Sequence, residues 1–272
     1  MQISQNIIKI ATCVLTICAV LFCSSCNSKT QLADAQEVAN RLIGQVEFKD
    51  FQFHTAQNGC NSSEENSFLG AKTGLKSSAY AIQVDVSFLT DGTPVLANSF
   101  HQADETSVPL EKILEEMQKY SEKKLYIHLR EVSNITGLEK LIKDFNLTNS
   151  SAYICVDENI VKYLYNECCV LPVYMSLDIN AGPKQDESAI ISELEKISVY
   201  SPNGIVIPAK NITKLLVSTA HDMGLEVFSI DTNSSQEIAD MISLGVDNII
   251  TKSPDVLTEA INIWAEALHI ED

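Results

Sequence analysis

Short apolar runs alternating with longer, one-sided apolar patterns constrain this chain more than any other feature. Strand-like runs stand at Phe48–Phe53, Ala81–Ser87, Val95–Asn98, Leu125–Leu129, Ala152–Val156, Pro172–Leu177, Gly204–Ile207, Glu226–Ile230 and Asn248–Thr251. Most are rich in Val and Ile, as strands buried on both faces are. Between most of them lie helical patterns with three-four spacing: Leu110-Ile113-Leu114-Met117, Ile190-Ile191-Leu194-Ile197, Leu215-Leu216-Thr219-Ala220 and Ile238-Met241-Ile242. Such alternation predicts right-handed crossovers and a parallel sheet. Nine runs are one too many for an eight-stranded barrel. The stretch from Ser87 to Pro94 leaves no room for a helix and carries Asp91-Gly92, a hairpin signal between antiparallel neighbours. The third run is therefore expected as an excursion from the barrel mouth. The fold class is α/β, a TIM (β/α)8 barrel. A doubly wound open sheet is the alternative, but no Gly-rich phosphate fingerprint follows an early strand.

The N-terminus stands apart from this pattern. Lys9 precedes the apolar run Ile10–Phe22, and Cys23-Ser24-Ser25-Cys26 follows. A positive residue, a short apolar core and small residues before a cleavage point make a secretory signal over residues 1–25. The run is too short for a membrane span. Ser24-Ser25-Cys26 resembles the bacterial lipobox, with Cys23 where a leucine is usual; ordinary secretion is the alternative. The resemblance implies lipidation of Cys26 and a protein held on a bacterial envelope membrane, outside the cytoplasm, by lipid chains. Residues 26–46 read as a tether with a short helix over Leu32–Ile43, and 47–272 as the barrel. Cleavage before Cys26 removes 25 of the 272 residues and leaves a length suited to one barrel. It also removes Lys9, so the formal charge of −17 falls to −18. That balance argues against nucleic acid or an anionic lipid surface as the main partner. Four of the eight cysteines, Cys60, Cys155, Cys168 and Cys169, remain for the folded part. They are too few for a disulfide scaffold, and their spacing leaves any pairing open.

In a barrel of this type reactive groups sit at the C-terminal ends of the strands. Polar residues stand there: His54 after the first run, Gln83 and Asp85 in the second, Asn98 after the third, His128 and Arg130 at the fourth, and Asp178 and Asp231 later. Glu65-Asn66-Ser67 precedes an expected helix, and by itself reads as a helix N-terminus. The order of these groups resembles the glycerophosphodiester phosphodiesterase family. That family has His-Arg-Gly, Glu-Asn-Thr, Glu-x-Asp, Thr-x-Asp-Gly, a Pro-Val-Val-like strand and His-Asp. This chain has His54-Thr55-Ala56, Glu65-Asn66-Ser67, Gln83-Val84-Asp85, Thr90-Asp91-Gly92, Pro94-Val95-Leu96 and Asn98-Ser99. Leu125-Tyr126-Ile127-His128-Leu129-Arg130 is similar to the family's Ile-Glu-x-Lys strand. Leu244 to Asp255 is similar to its Leu-Gly-Val-Asp-Gly-Ile-Ile-Thr-Asp-x-Pro ending.

The resemblance implies a barrel of the PLC-like phosphodiesterase type and phosphoric diester hydrolysis assisted by Ca²⁺ or Mg²⁺. In such chemistry a carboxylate-bound cation neutralises developing charge while histidines move protons. Carried over, His54 is the catalytic histidine; Glu65, Asp85, Gln83 and His128 form a degenerate metal set; Arg130 and Asn98 face the substrate. Gln83 and His128 replace two ligand carboxylates, Asn98 replaces the second histidine, and Thr55 replaces the phosphate-gripping arginine. Losing one acid or base costs about 10²–10⁴ in rate, and losing ligand charge weakens a hard cation. His101 is a candidate stand-in for the missing histidine, and His128 with Asp85 a candidate zinc pair. Two readings follow: a weakly active or inactive phosphodiesterase-like protein, or a barrel that binds a glycerophosphodiester or other polar ligand, or serves the envelope, without catalysis. Convergence of Glu65, Asp85 and His128 on one point is the geometric test between them.

Overall fold

The computed structural model describes residues 29–47, 53–155, 157–167, 170–177 and 187–269. The leader, Cys26, Cys168, Cys169, Asp178 and residues 48–52 lie outside these. Eight parallel strands form a closed ring: β1 (His54–Ala56), β2 (Ala81–Phe88), β4 (Lys124–Leu129), β5 (Ser151–Cys155), β6 (Val173–Ser176), β7 (Gly204–Pro208), β8 (Glu226–Ile230) and β9 (Asn248–Thr251). Closure comes from β1, which pairs with both β2 and β9. The remaining strand, β3 (Pro94–Leu96), lies antiparallel on β2, as the Asp91-Gly92 turn predicts. Gly92 adopts φ 85°, a left-handed conformation that glycine takes without strain.

Nine helices are seen among the described residues: α1 (29–42), α2 (Phe68–Lys76), α3 (Leu110–Met117), α4 (Ile135–Asp144), α5 (Glu158–Asn166), α6 (Glu187–Ser198), α7 (Lys214–Asp222), α8 (Ser235–Leu244) and α9 (Pro254–His269). Ser67 opens α2 by accepting from the Gly70 N–H. At α8, Ser234 and Glu237 form a capping box, and Gly245 at φ 80° closes the C-terminus. The short helix expected near Leu32–Ile43 is α1, and its Ala35, Val38, Ala39 and Leu42 are fully buried in the main core.

Strand alternation divides the buried residues into two sets. Ile82, Val84, Val86 and Phe88 of β2 join Leu125, Ile127 and Leu129 of β4 in the core between sheet and helices, which also holds Trp264. Ala81, Tyr126, Ala152, Ile154, Tyr174, Val206, Phe228 and Ile250 fill the barrel interior. Period-two alternation then sends Gln83, Asp85 and His128 inward as well.

Candidate functional site

The mouth is built on the β2–β4 pair. Register places Asp85 directly beside His128, both almost fully buried. His128 Nδ1 lies 2.9 Å from Asp85 Oδ1, and Arg130 Nη2 donates to the same oxygen at 2.7 Å. Asn58 Nδ2, from the loop after β1, donates to Asp85 Oδ2 at 2.7 Å. Gln83 completes the cluster, its amide 3.0 Å from His128 Nδ1. Burial alone would raise the Asp85 carboxyl; the His128 hydrogen bond, the Arg130 and His128 charges and Asn58 outweigh it and hold the group below the ordinary carboxylate range. Asp85 is thus a charged hub with both oxygens engaged. Gln83 Oε1, His128 Nε2 and Arg130 Nε are buried and meet no hydrogen-bond partner among the described residues.

The rim carries a second paired carboxylate. Exposed Glu65 accepts from Lys252 Nζ at 2.6 Å. Lys252 stands where the glycerophosphodiester phosphodiesterase ending has aspartate. Gln57 reaches Asp231 at 2.7 Å, and Asn58 exchanges hydrogen bonds with Asn66. Glu131 closes the end of β2 by accepting from Ser87 Oγ at 2.6 Å and the Phe88 N–H at 3.0 Å.

Of the residues expected at the site, Gln83, Asp85, His128 and Arg130 come together. His54 does not. It begins β1 rather than following it, and its Nε2 lies 3.0 Å from Thr258 Oγ1 on α9, in the outer layer. The intervening Thr55 takes the inward position and donates to Asn248 Oδ1. The group that stands at the mouth is Gln57-Asn58-Gly59, three residues further on. Its signal was the glycine: Gly59 adopts φ 78°, and a Cβ there would lie 2.6 Å from Glu65 Cγ. Asn98 and His101 are exposed on the β3 excursion. Asn58, Glu131 and Lys252 were missed because amide and charge pairing across loops leaves no periodic trace.

The expected metal set is not assembled. Among the described residues no group of three His, Cys, Asp or Glu side chains could hold a metal ion. Asp85 is the one buried carboxylate of the set, and a guanidinium already lies against it. Glu65 is held by an ammonium. A hard divalent cation needs several anionic oxygens at once, and the residues present do not fit one.

The fold is that of the barrel phosphodiesterases. An Agrobacterium tumefaciens structure assigned as a glycerophosphoryl diester phosphodiesterase superposes at TM-score 0.66 and 13% identity, over 80% of this chain and 99% of that one. An Oleispira antarctica phosphodiesterase solved with sn-glycerol-3-phosphate matches at TM-score 0.63 and 14% identity, over 77% and 96% of the two chains. A Parabacteroides distasonis glycerophosphodiester phosphodiesterase matches at 0.60 and 16%, over 79% and 99%. At these identities the likeness is one of fold. No family model and no curated protein sequence matches the chain.

Proposed function

We propose that this chain is a divergent relative of the glycerophosphodiester phosphodiesterases, lipid-anchored at Cys26 on the outer side of a bacterial membrane. In this reading its mouth binds a polar ligand without efficient hydrolysis. One observation carries it: both Asp85 oxygens are engaged by Arg130, His128 and Asn58. An internal cation occupies the electrostatic role that a metal would fill, so the mouth is neutralised by its own side chains. Proton transfer is weakened too, since neither His54 nor Asn98 presents a titratable group beside Asp85, and His128 alone remains. One missing acid or base corresponds to a loss of about 10²–10⁴ in rate. The unmet capacity on Gln83, His128 and Arg130 supports retention of a polar ligand. Anchoring rests on the Ser24-Ser25-Cys26 pattern.

Assays of the full chain with glycerophosphodiesters, with Ca²⁺ or Mg²⁺ added, test the proposal. Turnover is expected at background, and Gln83→Glu with His128→Glu and Arg130→Lys is expected to raise cation binding. Clear wild-type turnover that Asp85→Ala or His128→Ala abolishes would overturn it. Cys26→Ser is expected to release the protein from membranes; unchanged membrane association would remove the anchor.

A further inference from the structure

A cavity of about 540 Å³ opens at the end of the barrel opposite the mouth. Its walls come from the N-terminal ends of the strands: Tyr80 precedes β2, Glu226 opens β8 and Asn248 opens β9. Chemistry on this fold takes place at the other end, so this space is independent of the mouth and of the function proposed for it. The volume suits a small organic molecule.

The lining is aromatic, with Glu226 at its edge. Tyr126 meets Tyr174 and Phe228 edge-on, with ring centroids 5.8 and 5.4 Å apart, and Tyr174 stacks on Phe228 at 4.2 Å. Tyr174 Oη donates to Glu226 Oε2 at 2.7 Å, which aims the carboxylate at the aromatic wall. Of the other charged groups of the lining, His221 and Asp247 compensate each other, and Lys124 lies on β4, across the ring from Glu226 on β8. Lys124 Nζ donates to the Asn149 carbonyl at 2.8 Å, and His221 pairs with Asp247 at 2.8 Å. Glu226 forms no ion pair among the described residues and keeps an oxygen for a ligand. Its charge reaches the cavity interior: burial first, and then Glu226, raise the Tyr80 phenol, and both contribute to raising Tyr126 and Tyr174. The three phenols therefore stay neutral and offer ring faces and hydroxyls rather than competing anions.

We propose that this cavity binds a small organic ammonium ion with an apolar body, its charge at Glu226 and its body against Tyr126, Tyr174 and Phe228. Cations are drawn to aromatic faces within about 6 Å of the ring, more strongly where water is excluded. An anion held against the aromatic wall would meet the Glu226 carboxylate, and a purely apolar molecule would leave that carboxylate without a counter-ion.

Calorimetric titration of the full chain in a non-ionic detergent, with phenethylammonium and its neutral isostere 2-phenylethanol, tests the inference. The ammonium is expected to bind at least about tenfold more tightly than the alcohol. Glu226→Gln, a change at an exposed position, is expected to erase that preference while leaving the melting temperature unchanged. Ala152→Leu, which fills the cavity from β5, weakens both ligands. Glu65→Gln, at the exposed carboxylate of the mouth, leaves binding as it was. Absence of binding at millimolar ligand, equal affinity for alcohol and ammonium, a preference surviving Glu226→Gln, or a loss on Glu65→Gln alone each overturns the proposal.

Discussion

Asp85 concentrates what is unusual about this chain. A carboxylate taken out of water is stable as an anion only when cations and donors replace its hydration. Arg130, His128 and Asn58 do so here from two stretches of sequence, the end of β4 and the loop after β1. Because the folded carboxyl titrates below its ordinary value, the unfolded chain takes up this proton first as pH falls. The stabilisation is thus present above about pH 4, the ordinary aspartate value, and is lost as pH drops through the lower folded value. Asp85→Asn is expected to flatten the acid limb of a urea-stability profile recorded between about pH 5 and 2. Parallel acid limbs for wild type and variant would show that Asp85 is not the charged hub. Gln83, Asp85, His128 and Arg130 were legible in the sequence because the strands that carry them were. His54 was not: β1 ends three residues later than expected, which places His54 within the strand with its side chain toward α9.

Elements whose ends are written in local chemistry were the easiest to read. The Asp91-Gly92 turn announces the β2–β3 hairpin, and Asp91 supports it by accepting from the Thr93 N–H at 2.9 Å. Helix α8 is bounded in the same way. Ser234 accepts from the Glu237 N–H, and the Glu237 carboxylate accepts in turn from the Ser234 N–H at 3.0 Å. Ser234→Ala is expected to cost about 1 kcal/mol, measured as a lowered denaturation midpoint with unchanged m-value; no change would show that water satisfies the N-terminus equally well. β1 carries no such signal. Only three residues long, it is defined by simultaneous pairing with β2 and β9, partners 25 and more residues away. Helix α1 was legible as a weak amphipathic stretch, while its burial was not, since a face becomes buried only when another surface covers it.

Closing the barrel joins the first and last strands, so the whole molecule depends on α9 packing over that seam. Trp264 of α9, the single tryptophan of the chain, is fully buried in the main core. Trp264→Ala is expected to cost about 3–5 kcal/mol, and the indole emission of the wild type should shift red in the same transition that abolishes helical circular dichroism. Separate transitions would show that the seam opens before the barrel does. The sequence by itself determined the alternation of strands and helices, the surplus hairpin and the place of Gln83, Asp85 and His128 on the second and fourth runs. Each follows from periodicities and turn preferences that act over a few residues. Only the tertiary structure decided where β1 begins, that Lys252 holds Glu65 and Arg130 holds Asp85, and that an aromatic cavity with a carboxylate at its edge lies at the far end. Those outcomes depend on side chains meeting across the ring from distant stretches, and no local pattern records which charge will find which partner.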